Sequence, residues 1–361
     1  MRPELHQSRC TRYRFRYSEC RRCADACPHD AIAFSDEGAS IDAARCRNCA
    51  LCTSACRTGA WESPEVPRVD LLKRAIKAPA WSFACAPSGA EADAVVPCLG
   101  ALDAAMLAYL GKRGIPVELR GMGRCASCEH GERGAAMIEV QLEAVDLLGR
   151  ASGEQWAQIT IAEAEPAERP APTAFAPGRR HLFRRILGGV ATEVREAAKP
   201  VASAEAVPAK AIRAARAFVT ESRELLQIVA RTKDATPLVV REHEALPLAS
   251  LAIAGQCTAC EACFRACPTG ALQIRESDSA WSLAFALDKC VGCGVCLEVC
   301  QPRVLHTKPE FDIGSARPEA VLHSLGRQRC ARCDRLFTSP RPQHSCGVCT
   351  DDEEAFDAIF S

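Results

Sequence analysis

The chain has 361 residues, enough for two or three domains, and 48% of them are hydrophobic, enough to bury real cores. Basic and acidic residues balance at 45 each, which argues against a general polyanion-binding protein. The 24 cysteines fall mostly into Cys-x2-Cys groupings, which points to a reducing compartment and metal ligation rather than a disulfide scaffold. Met1 is followed by Arg-Pro-Glu-Leu-His without an apolar core, and no apolar run reaches about 18 residues. Neither an export signal nor a membrane span is expected, and a cytoplasmic location is.

Taken from the start, residues 1–66 carry Cys20-x2-Cys23-x3-Cys27-Pro28, then Cys46-x2-Cys49-x2-Cys52-x3-Cys56. Three thiolates on one tight loop can reach three irons of a [4Fe–4S] cube, and in this spacing the fourth comes from the other half. Cys46, Cys49, Cys52 and Cys27 therefore provide for one cluster. Cys20, Cys23 and Cys56 need one more ligand for its neighbour. Laid on the complete block near residue 260, this block has Tyr17 where the missing thiolate belongs. Cys10 is the only other upstream cysteine, and a short loop can bring it back. A three-cysteine cluster with an open iron, or ligation by Tyr17, are the alternatives.

Residues 67–163 change rhythm. Trp81–Cys85 and Ala94–Cys98 read as short strands, Ala101–Leu110 as a helix, Ile115–Leu119 as a strand, Glu132–Leu148 as a long helix ended by Gly149, and 155–162 as a last strand. Alternation of this kind predicts a small α/β domain with a partly parallel sheet. Cys85 and Cys98 fall at strand ends, and Cys125 and Cys128 fall in the loop after the third strand. Strand C-termini gather on one edge of a parallel sheet, so four thiols distant in sequence can meet there. A [2Fe–2S] cluster is the expected occupant. Zinc, or free thiols packed as small hydrophobes, are the alternatives.

Residues 164–210 read as an Ala/Pro-rich linker interrupted by a basic island, Arg179 to Leu187. The island is similar to a twin-arginine export signal, but it stands in mid-chain without an apolar stretch, so export is rejected. A helix over 210–232 is expected next, with Phe218, Leu225 and Leu226 on one side, beside the second block. Within residues 211–312 that block is complete: Cys257-x2-Cys260-x2-Cys263-x3-Cys267-Pro268, then Cys290-x2-Cys293-x2-Cys296-x3-Cys300. Cys257, Cys260, Cys263 and Cys300 are expected to hold one cluster, and Cys290, Cys293, Cys296 and Cys267 the other. The tail, 313–361, carries Cys330-x2-Cys333-x12-Cys346-x2-Cys349, the spacing of a zinc ribbon. Zinc is the expected metal there, with rubredoxin-type iron or another cluster as the alternatives.

Both blocks resemble bacterial two-cluster ferredoxins. Pro-His-Asp-Ala-Ile follows Cys27, Pro-Thr-Gly-Ala-Leu follows Cys267, and Asp-Lys-Cys-Val-Gly-Cys-Gly-Val-Cys carries the last triplet. This resemblance implies low-potential, one-electron transfer. The middle segment resembles the delta subunit of methyl-viologen-reducing hydrogenases, on Phe83-Ala-Cys85, Pro97-Cys98-Leu-Gly and the Cys-x2-Cys loop before a long helix. That resemblance implies a [2Fe–2S] centre. The expected fold class is α+β and multidomain: two ferredoxin-like modules, a small α/β domain between them and a zinc-ribbon-like tail.

The expected function is an iron–sulfur electron-transfer protein, a ferredoxin-like subunit of a redox complex, with four [4Fe–4S] clusters and redox proteins of unspecified identity as partners. No GxGxxG, P-loop or GxSxG motif appears, so no dinucleotide, nucleotide-phosphate or acyl-transfer site is expected. An enzyme using an open-iron cluster or a thiol centre is the second reading, and a zinc-ribbon nucleic-acid or assembly module the third. Arg9, Arg12, Arg14, Arg16, Arg21 and Arg22 form a basic cluster that reads as a docking face for an acidic redox partner, with a solvated face as the alternative.

Overall fold

The computed structural model describes residues 2–162, 211–213, 215–232, 236–314 and 319–352. The basic island lies outside these. Each ferredoxin-like block is framed by two antiparallel pairs. In the first, Glu4–Leu5 pairs with Trp61–Glu62, and the hairpin Ile32–Ser35 pairs with Gly38–Ile41. In the second, Leu251–Ile253 pairs with Leu305–Thr307, and Leu272–Glu276 pairs with Ala280–Phe285. The strand ends thus bring the two cysteine loops of each block together, as two halves that share ligands require.

Between them sits a four-stranded, fully parallel sheet. Its order is Ala94–Val96, Trp81–Cys85, Val117–Arg120, Ile159–Ile161. Trp81–Cys85 is central and buried along its whole length, so it reads as a continuous apolar run rather than an alternation. The helix Ala104–Lys112 covers it. Asp103 caps this helix by accepting from the Met106 amide at 2.8 Å. The long helix runs over Gly131–Ser152, past Gly149, and is closed by Gly153 in the left-handed conformation at φ +64.

The expected helix over 210–232 is shorter than its apolar pattern suggests. It spans Glu221–Val229, with Thr220 as its N-cap, while Phe15 and Ile212 form an isolated β-bridge. Nor does it pack solely on the second block. Leu226 and Val229 enter the core of the middle sheet, while Arg223 and Gln227 reach Leu287 and Asp288. One amphipathic helix thereby ties the two regions. The tail is joined by backbone hydrogen bonds. Its strands Ala320–Arg329 and Leu336–Ser339 continue the hairpin Leu272–Glu276/Ala280–Phe285 into one four-stranded sheet.

Candidate metal centres

Three of the four ferredoxin-type loops share one backbone device. The residues flanking the central cysteine adopt positive φ: Asn48 and Ala50 around Cys49, Ala259 and Glu261 around Cys260, Gly292 and Gly294 around Cys293. Non-glycine residues in this region carry roughly 1–2 kcal/mol of strain each. Two such residues bracketing a thiol turn successive amides inward, a geometry suited to an anionic sulfur cage. Amides also reach thiols directly: Ala31 N–H to Cys27 Sγ at 3.4 Å, Ala60 N–H to Cys56 Sγ at 3.3 Å and Gly292 N–H to Cys290 Sγ at 3.4 Å. The fourth loop lacks the device, since neither Glu19 nor Arg21 has positive φ. This is the half that lacks its first cysteine.

A fourth thiol lies beside that incomplete half. Cys10, Cys20, Cys23 and Cys56 line one small cavity with Arg57, Trp61 and Cys293. Tyr17 is not in its lining; its ring is 65% exposed and stands edge-on to Phe15. Cys27, Cys46, Cys49 and Cys52 come together, as do Cys257, Cys260, Cys263 and Cys300, and Cys267, Cys290, Cys293 and Cys296. Burial pushes up the thiols of Cys23 and Cys263, to about 12, and of Cys49, to about 11. Buried thiols stay neutral unless a cation or cluster takes the thiolate. All 24 cysteines are free of disulfides.

The middle thiols also converge. Cys98 lies within electrostatic reach of Cys85 and Cys125, and Cys125 within reach of Cys85 and Cys128. All four stand at the C-terminal edge of the parallel sheet. The long helix begins hard against them, and Gly134 makes room: a Cβ there would meet Cys98 Sγ at 2.6 Å. Gly134→Ala is therefore expected to displace Cys98 and disturb the convergence of the four thiols, seen as a changed metal content by elemental analysis. Cys98 also packs against Cys49, Ala26 and Leu51 of the first block. Across the same junction His29 Nε2 and His130 Nδ1 are 3.2 Å apart.

In the tail, the sulfurs of Cys330, Cys333, Cys346 and Cys349 all lie within 4.8 Å of one another, a spacing one metal ion can span. The Cys346 amide donates to Cys330 Sγ at 3.2 Å and, as the largest cause, draws that thiol down. Cys333→Ser should remove one metal ion per chain and leave the iron content unchanged, as read by elemental analysis of the full-length protein.

Two stretches, residues 18–60 and 256–304, match the family model of the 4Fe-4S dicluster domain. They fall on the two blocks, three of whose four loops carry the shared backbone device. The chain thus holds two ferredoxin-like modules and is an iron–sulfur electron-transfer protein. No curated protein matches the chain. Among the described residues, no helix is long and apolar enough to cross a membrane.

The cysteines are legible in the sequence; the arginines among them are not. The N-terminal basic cluster is not a uniform docking face. Arg14 is 1% exposed and spends its guanidinium on backbone carbonyls of both modules. Arg9 pairs with Glu62 and lies over Phe218, Arg12 donates to the Cys20 carbonyl and lies over Phe34, and Arg16 pairs with Asp36. Arg57, 8% exposed, bridges to the second module.

Proposed function

We propose that this chain is the ferredoxin-like subunit of a cytoplasmic redox complex and passes single electrons along one unbranched row of sites. The observation that carries the reading is the adjacency of thiols between sites. Cys98 of the middle edge packs on Cys49, Cys52 lies near Cys23, Cys20 near Cys293, and Cys296 near Cys263. The order is therefore the Cys85/Cys98/Cys125/Cys128 edge, then Cys27/Cys46/Cys49/Cys52, then Cys10/Cys20/Cys23/Cys56, then Cys267/Cys290/Cys293/Cys296, and last Cys257/Cys260/Cys263/Cys300. In this reading the middle edge holds a [2Fe–2S] cluster, the other four sites hold [4Fe–4S] clusters with Cys10 as a ligand, and the tail holds zinc. It divides the chain into the modules 1–66, 67–163, 211–312 and 313–361.

Bound iron–sulfur clusters supply reversible one-electron chemistry. The chain's own residues do the rest. Thiolates fix the spacing, apolar neighbours such as Leu51, Val295 and Val299 exclude water, and backbone amides aim at sulfur. Cys260 is exposed, which makes the last site the accessible end for a partner protein. Elemental analysis with EPR on anaerobically purified protein tests the reading. About eighteen iron atoms and interacting signals on reduction are expected; about eight or fewer would rule it out.

A further inference from the structure

The fourth site of the row differs from the others in the charges set around it. Three buried arginines converge there from three separate elements. Arg14, 1% exposed, donates through Nη1 to the Cys267 carbonyl at 3.2 Å. Arg57, 8% exposed, donates through Nη1 to the Gly292 carbonyl at 2.6 Å, between Cys290 and Cys293. Arg223, 2% exposed, donates through Nη2 at 2.7 Å to the Leu287 carbonyl, which also receives the Cys290 amide. Their charges act on the thiols of this site: Arg14 on Cys267 and Cys293, Arg57 on Cys293 and Cys290, Arg223 on Cys290.

Two features make these arginines more than structural ties. First, among the described residues none of the three has a carboxylate within ion-pair distance; their hydrogen bonds go to backbone carbonyls. Arg265 and Arg45, beside other sites, are exposed and paired, with Glu261 at 3.0 Å and with Asp42 at 3.8 Å. Second, Arg57 Nε and Arg223 Nε are buried donors with no partner. A buried guanidinium N–H without an acceptor is costly, and an anion beside it removes that cost. Arg57 also lines the cavity of Cys10, Cys20, Cys23 and Cys56.

A cluster held by four thiolates is anionic, and one-electron reduction adds a further negative charge. Burial disfavours that charge, and nearby cations favour it; Glu242 and Asp288 act on Arg57 and Arg223 only from beyond ion-pair distance. Hydrogen bonds to sulfur act in the same direction. We propose that Arg14, Arg57 and Arg223 compensate the charge of a buried anionic cluster at Cys267/Cys290/Cys293/Cys296 and make it the first site in the row to be reduced. The inference rests on the relay reading above. The step is the gain of one electron from an external one-electron donor, with no bond made or broken.

The test uses the full-length, anaerobically reconstituted protein, reduced with less than one equivalent of dithionite. With 15N-arginine incorporated, the first EPR signal to appear should show coupling to arginine nitrogen by pulsed EPR. In Arg57→Gln and Arg223→Gln, the reduced-to-oxidised ratio of that centre, held at the wild-type midpoint, should fall at least tenfold, about 59 mV for a one-electron couple. Arg57→Lys and Arg223→Lys should recover most of it. An unmutated protein whose first signal lacks arginine coupling overturns the proposal, as does a ratio unchanged in Gln variants of full iron content. If the Gln variants lose iron, the labelled unmutated protein alone decides. Failure of the relay reading looks different: iron would be about eight atoms or fewer per chain, and no interacting signals would appear on reduction.

Discussion

Replacing Cys10 with alanine should destabilise one four-iron centre and spare the other three. The Cys10 thiol shares its cavity with Cys20, Cys23 and Cys56. Burial pushes it up, while the amides of Tyr13, Ala39 and Arg12 pull it back. A thiol set against inward-facing amides suits a thiolate ligand. Without it, one iron has no protein ligand, so conversion to a three-iron form or loss of the whole cluster is expected. Iron should fall by about one to four atoms per chain, and oxidised samples should gain a three-iron EPR signal. Tyr17→Phe should change neither, because that ring faces solvent. Full iron content and unaltered spectra in Cys10→Ala would favour an open-iron centre held by three cysteines.

Gly292→Val should be the most damaging single change between the two modules. Gly292 has φ +60, and a Cβ there would lie 2.7 Å from the Leu248 carbonyl oxygen and 2.8 Å from Arg57 Nη1. Strain alone does not decide the outcome, since Asn48, Ala50, Ala259 and Glu261 adopt similar φ in the sister loops. The clash does, because backbone cannot move aside as a flexible side chain can. Left-handed strain of roughly 1–2 kcal/mol and overpacking of roughly 1–3 kcal/mol together approach the net stability of a small domain. The substitution should lower the urea midpoint sharply and deplete iron at Cys290/Cys293. Gly294→Ala is the control: its φ is +83, but nothing lies within 4 Å of the added Cβ. It should cost about 1 kcal/mol and keep its iron.

Sequence spacing carries the cluster loops because ligand geometry is local: one triplet, one turn. The middle thiols are legible for a different reason. Cys85, Cys98, Cys125 and Cys128 follow predicted parallel strands, and such strands end on one edge. Cys10 is legible by elimination. What spacing does not carry is how the modules face one another. Arg14 reads as part of an exposed basic face because arginine is rarely buried, and no motif singles out Arg57. Their partners are carbonyls at Cys267 and Gly292, hundreds of residues away, and a carbonyl has no side-chain signature. The expected helix over 210–232 outruns the observed Glu221–Val229 for a related reason. Apolar periodicity continues through Phe218, but Thr220 caps the helix, and the preceding segment instead pairs Ile212 with Phe15.

The strand Ala320–Arg329 is hydrogen-bonded on both flanks, to Ala280–Phe285 on one side and to Leu336–Ser339 on the other. Its far end runs straight into Cys330. A metal clasped by the tail therefore fixes the strand that closes the open edge of the ferredoxin hairpin. Fraying of the clasp would be felt as faster amide exchange along Ala280–Phe285, where Trp281, Leu283 and Phe285 form part of the core beneath the last two sites. Metal supply to the tail and protection of the electron-carrying core from solvent thus become one cooperative unit, although the tail metal need never carry an electron.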